Sequence, residues 1–85
     1  MKEIKYTLTD PLGIHARPAG HLVRLAGKYK CDIQIGSPEK MVNAKRIIGV
    51  MALTLKCGEE ITMTFSGADE EEAAAIIEQF LSENL

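Results

Sequence analysis

The sequence predicts an α+β fold: a two-layer open-faced β-sandwich with a four-stranded antiparallel sheet and three helices on one face, ordered β-α-β-β-α-β-α, in one domain over residues 1–85. Three observations predict it. The clearest strand segments alternate apolar and polar residues with period two, which leaves the sheet one wet face, as antiparallel sheets commonly have. Three other segments place apolar residues at helical spacing. The 85 residues are 46% hydrophobic and 26% charged, enough for one modest core that removes roughly 60% of the unfolded chain's surface from water.

In chain order, residues 2–8 set Ile4, Tyr6 and Leu8 on one side and Glu3, Lys5 and Thr7 on the other, a half-buried strand. Asp10-Pro11-Leu12-Gly13 is turn chemistry. Residues 16–27 form a helix with Ala19, Leu22, Val23 and Ala26 on its apolar face. Gly27 stands where helices commonly end. Ile33 and Ile35 alternate with Asp32 and Gln34 in a second strand, and a turn at Gly36-Ser37-Pro38 leads to a short third strand at residues 40–43. Lys45–Leu53 has the spacing of a short helix weakened by Gly49, with Ile47, Val50 and Met51 on its inward side. Residues 60–66 turn Ile61, Met63 and Phe65 inward and Glu60, Thr62, Thr64 and Ser66 outward. Asp69, with Glu72 three residues on, reads as an N-cap with a capping-box variant. Ala73, Ile76, Ile77, Phe80 and Leu81 then stripe a last helix to about residue 83.

Composition excludes several function classes. The longest apolar stretch, Ile47–Leu53, is seven residues, against about 20 for a membrane-spanning helix. The first residues have no signal-peptide core, and two cysteines without a CxxC motif suit free thiols in a reducing cytoplasm. The formal net charge of −2 divides unevenly. Residues 69–85 hold six acidic groups and no basic one, whereas residues 13–56 hold eight basic groups against Asp32 and Glu39. A basic centre attracts an acidic partner. Nucleic acid fits poorly, since the outward strand residues offer no aromatic platform.

The chemistry concentrates in Gly13-Ile14-His15-Ala16-Arg17-Pro18-Ala19, where the first strand gives way to the first helix. The opening amides of a helix lack internal partners and, with the helix dipole, favour an anion. Pro18 suits the first turn. Because it biases its predecessor away from helical angles, Arg17 is expected to start the helix irregularly. A neutral imidazole at His15 is a competent nucleophile towards phosphorus, and a guanidinium can bind phosphate oxygens through two donors. The spacing offers no metal cluster, P-loop or second general acid or base, so a residue that takes and hands on phosphate, without catalytic turnover or a cofactor, is expected. His21 has no comparable context and is expected on a solvated face.

The heptapeptide resembles the active-site signature of HPr, the histidine-containing phosphocarrier family of the phosphoenolpyruvate-dependent sugar phosphotransferase system. Lys45-Arg46-Ile47-Ile48-Gly49-Val50-Met51 resembles the family's second signature, and Glu60–Glu70 resembles its last strand and helix start. The resemblance implies that His15 receives a phosphoryl group on Nδ1 from phosphorylated enzyme I and passes it to the A domains of sugar-specific enzymes II. Arg17 would stabilise that group, and the backbone of Ala16 and Arg17 would donate to it. Gly20, Val23, Arg24, Arg46, Ile47, Ile48 and Met51 would form the partner-docking patch, with Ile48 at least exposed, and Arg17, Arg24, Lys45 and Arg46 its positive rim. The implied carrier is a cytoplasmic monomer, with no metal or other cofactor and no membrane insertion. A paralogous carrier of a nitrogen-regulatory or dihydroxyacetone-kinase phosphorelay is the alternative.

Two positions depart from the family pattern. Arg46 stands where many members have a regulatory serine, so phosphorylation there by HPr kinase/phosphorylase is not expected; Ser37 and Ser66 read as turn and strand-face residues. Leu12 stands where members often carry a polar side chain near the histidine.

Overall fold

A computed structural model describes residues 1–85. The elements are β1 (Lys2–Thr7), α1 (Ala16–Ala26), β2 (Asp32–Ser37), β3 (Lys40–Asn43), α2 (Ile47–Ala52), β4 (Glu60–Ser66) and α3 (Glu70–Asn84). The strands form one antiparallel sheet in the order β1-β4-β2-β3. The strand with the cleanest alternation, β4, is central: Met63 lies between Ile4 of β1 and Ile35 of β2. Ile61, Met63 and Phe65 are completely buried and meet Ile33 and Ile35 of β2, Ala19, Leu22 and Ala26 of α1, and Ala73, Ile77 and Leu81 of α3 in one core.

Three expectations give way to packing. Thr62, expected on the wet face, is 5% exposed. It sits on the central strand between Lys5 and Gly36, where strand backbone flanks its short side chain on both sides and the Lys5 side chain stands beside it. Ile76 is 40% exposed: α3 turns Ala73, Ala74, Ile77 and Leu81 to the sheet, and Ile76 falls outside that stripe.

The capping box is also rearranged. Asp69 makes no side-chain cap bond. Its carboxylate instead accepts the amides of Lys30 at 2.8 Å and Cys31 at 2.9 Å, tying the α1–β2 connection to the start of α3. Glu70, not Glu72, reaches back, accepting the Gly67 amide at 3.1 Å. A carboxylate aimed at two backbone donors in a neighbouring segment satisfies more orphan groups than a local cap would.

Candidate functional site

The loop between β1 and α1 is fixed at both ends. The Leu85 backbone oxygen, at the end of α3, accepts the amides of Thr9 and Asp10 at 2.6 and 2.8 Å and the Thr9 hydroxyl at 3.0 Å. The Asp10 carbonyl accepts the Gly13 amide at 2.8 Å, and Asp10 Oδ1 accepts the Leu12 amide at 2.8 Å. Gly13 adopts a positive φ of 64°, which costs glycine little. Ile14 is buried and donates its amide to the Leu55 carbonyl at 3.1 Å. The chain therefore reaches His15 with little freedom left.

His15 is the N-cap of α1, extended at φ −123° and ψ 177°, and its side chain makes no cap bond. The first helical hydrogen bond runs from the Ala19 amide to the His15 carbonyl at 3.0 Å. The Ala16 and Arg17 amides are thus left without helical partners, and Pro18 has none to offer. Arg17 lies within the helix, not in the irregular start expected of a pre-proline residue. In the first turn the proline ring has no earlier helical carbonyl to strike, so the usual penalty is relieved. α1 has no acidic residue in its first turn, so nothing of the helix's own neutralises that positive end.

An open cleft of about 660 Å³ is lined by His15, Ala16, Arg17, Gly20, His21 and Arg24. His15 Nε2 lies 3.6 Å from Asp10 Oδ2, and both residues line a smaller pocket with Arg17, Pro18, His21 and Asn84. In the sequence Asp10 is only a turn residue, and its spacing of five from His15 across a turn is the one available signal of this contact. The Leu12 side chain is exposed and the residue serves the loop through its amide alone.

A second cleft, of about 570 Å³, lies between α1 and the start of α2, lined by Val23, Asn43, Lys45, Arg46, Ile47, Ile48 and Gly49. Ile48 is 82% exposed as expected, but Ile47 and Met51 are exposed too, contrary to their expected inward placement. Val50 alone of α2 is buried. Gly49 lies over Val42 of β3, so a helix of six residues has no width left to hide more, and Met51 lines neither cleft. Lys45 lines this cleft too, its ammonium held in place by donating to the Tyr29 carbonyl at 2.7 Å. Arg46 is the N-cap of α2 and makes no side-chain cap bond.

The N-terminus pairs with Glu70, and the Asp10 carboxylate faces the His15 imidazole; no arginine takes part in an ion pair. Arg17, Arg24 and Arg46 therefore carry unpaired guanidinium groups on the faces that line the clefts. No group of three or more His, Cys, Asp or Glu side chains converges as a metal site would require. A half-buried imidazole lining an open cleft at a helix N-terminus, beside an unpaired arginine, suits a doubly charged phosphoryl group.

The comparisons with known proteins agree with this geometry. A family model described as the PTS HPr component phosphorylation site matches residues 2–83. The chain belongs to the HPr family. The phosphocarrier protein HPr of Lysinibacillus sphaericus is 43% identical over 83 residues, covering 98% of this chain and 94% of that protein. HPr of Mycoplasma genitalium is 41% identical over 85 residues, covering 99% and 97%. A solved structure of the Mycoplasma histidine-containing phosphocarrier protein superposes with a TM-score of 0.92 at 38% identity, covering 96% of this chain and 93% of that one. The HPr phosphocarriers of the phosphotransferase system are thus this chain's family, and its open sheet with three helices is the HPr architecture.

Proposed function

We propose that this chain carries phosphoryl groups on His15, from phosphorylated enzyme I to the A domains of sugar-specific enzymes II, in the cytoplasm and without catalytic turnover of its own. The observation that carries the reading is the placement of His15: half-buried at the α1 N-terminus, in one cleft with the unpaired Arg17. The His15 Nδ1 lone pair would attack phosphorus as the donor's P–N bond breaks. The free amides of Ala16 and Arg17 and the Arg17 guanidinium would hold the phosphoryl oxygens. Transfer of this kind needs positioning and charge compensation more than covalent machinery, and the protein supplies both without a cofactor.

The docking surface in this reading is the exposed patch of Ile47, Ile48 and Met51 with Gly20 and Val23, rimmed by Arg24 and Arg46. Rimmed apolar patches suit partner proteins, and unpaired arginines steer acidic ones. Arg46 has no hydroxyl, so HPr kinase/phosphorylase has no acceptor there. The proposed working form is a monomer, because docking leaves the patch open to each partner in turn.

Incubation with enzyme I and phosphoenolpyruvate tests the reading. One acid-labile phosphate per chain is expected, absent from His15→Ala. Full labelling of the His15→Ala protein overturns the assignment.

A further inference from the structure

We propose that Asp10 is a positioning residue for His15, holding the imidazole with its proton on Nε2 so that the Nδ1 lone pair faces the phosphoryl donor. The inference rests on the carrier reading above and adds a residue to it.

Three contacts aim the Asp10 carboxylate. Its amide donates to the Leu85 oxygen at 2.8 Å and its carbonyl accepts from Gly13 at 2.8 Å. Oδ1 is occupied by the Leu12 amide at 2.8 Å. That leaves Oδ2, which faces His15 Nε2 at 3.6 Å. The loop thus spends every other acceptor of Asp10 on its own shape and presents a single carboxylate oxygen to the ring. At 3.6 Å the pair lies beyond the range of a formed N–H···O bond, and in this proposal it tightens as the phosphoryl donor docks. Catalytic hydrogen bonds are commonly long before the reacting group arrives.

A carboxylate accepts and never donates when ionised. Facing Nε2, it favours the tautomer with the proton there, and the nucleophilic lone pair is left on Nδ1 by elimination. The electron count is simple. The Nδ1 lone pair forms the new N–P bond, the donor's P–N bond breaks, and the leaving nitrogen keeps that electron pair. The Nε2 proton does not move. The ring then carries positive charge, which Asp10 faces on one side while the phosphoryl group faces α1 on the other. Delivery to the next protein reverses these steps, again with the proton held at Nε2.

Other charged and titratable groups also flank the ring. Arg17 and His21 share with Asp10 and Asn84 a small pocket against His15, and Arg24 approaches from further along α1. Asp10 is the one acidic side chain lining the pockets at the ring. The side chains of His15 and Asp10 are 36% and 26% exposed, so water only partly screens the pair.

Two variants and two readouts test the role. Asp10→Asn keeps an oxygen for the Leu12 amide but turns an amide N–H towards Nε2, and Asp10→Glu keeps the charge. 15N NMR of the neutral His15 ring reads the tautomer. A dominant Nε2–H form is expected in the parent chain, a shift towards Nδ1–H in Asp10→Asn, and restoration in Asp10→Glu. Labelling by phosphoramidate, which needs no protein donor, is expected to slow about tenfold in Asp10→Asn, the loss of one hydrogen bond to a charged group. An unchanged tautomer ratio and labelling rate in Asp10→Asn overturn the proposal. If phosphoramidate labels His15 but enzyme I does not, the carrier reading fails while the role of Asp10 stands.

Discussion

Gly13 lies directly against the Leu55 carbonyl, so the loop that delivers His15 is built over the segment that leaves α2. A Cβ at position 13 would fall onto the backbone of Leu55 and Lys56, and φ there is +64°. The Ile14 amide bonds the same Leu55 carbonyl at 3.1 Å, so neither strand of this contact can retreat without losing a hydrogen bond.

Gly13→Ala is therefore expected to destabilise the fold by about 1–3 kcal/mol, the usual range for a residue forced into left-handed backbone. It should also slow phosphoryl uptake by displacing His15. Urea unfolding and the enzyme I labelling assay check the two effects; a variant of unchanged midpoint and rate contradicts the contact.

The same segment carries the opposite fault. Thr54 has φ +50°, a conformation that is a genuine outlier for a β-branched residue. Its hydroxyl bonds the Leu53 carbonyl at 2.7 Å, an exposed contact of small worth. Thr54→Gly relieves the strain and loses some unfolded-state restriction, for a net gain of about 1 kcal/mol. An upward shift in thermal midpoint is the expected result.

Ile48 is 82% exposed and lies outside the core. Ile48→Asp should leave the unfolding midpoint within about 0.5 kcal/mol of the parent, since surface changes away from special features cost little. If α2 is the docking surface, the same change should weaken capture by enzyme I at least tenfold, an apolar anchor being replaced by a buried unpaired charge. Titration calorimetry with enzyme I checks the binding.

Arg46 holds the N-cap of α2 without a cap bond, and places a positive charge where the dipole disfavours it. Arg46→Ser supplies a side chain that can accept a free α2 amide, worth about 0.5–2 kcal/mol. The variant is expected to melt higher than the parent. If Arg46 steers acidic partners, it should also bind them more slowly at low salt.

The fold was legible because β1, β2 and β4 alternate cleanly and their apolar sets converge on one core. What the sequence hid was decided across the sheet or across loops. Thr62 is buried by neighbours that β4 acquires only by being central. Asp69 looked like a local cap, yet its partners are 39 and 38 residues away. The site shows the same division. His15, Arg17 and the α1 N-terminus were readable from one heptapeptide, since a helix start is a local event. Asp10 was not, because its aim depends on the Leu85 oxygen at the far end of the chain. In α2 the helical spacing was correct, but its inward face was overestimated, since only tertiary contact limits how much a six-residue helix can bury.

Asp69 and Cys31 make stability fall at both ends of the pH scale. The Lys30 amide above all, helped by the thiol and amide of Cys31, holds the Asp69 carboxyl below its ordinary 3.8. Its folded value is depressed, so its contribution is complete above the ordinary value and is lost as pH falls through the lowered one. Burial, and then Asp69, push the Cys31 thiol up from 9.0 to about 11. There the neutral form is favoured in the folded state, so the contribution is complete below pH 9.0 and is lost as pH rises through about 11. Asp69→Asn should therefore be less stable than the parent at pH 7, with the gap narrowing below pH 3.8 as the parent's own carboxylate is protonated. Cys31→Ala, which removes the alkaline titration, should lose stability less steeply than the parent above pH 9.0. Urea midpoints of the three proteins across both limbs decide the matter; a gap for Asp69→Asn that persists unchanged into acid contradicts the assigned hydrogen bonds.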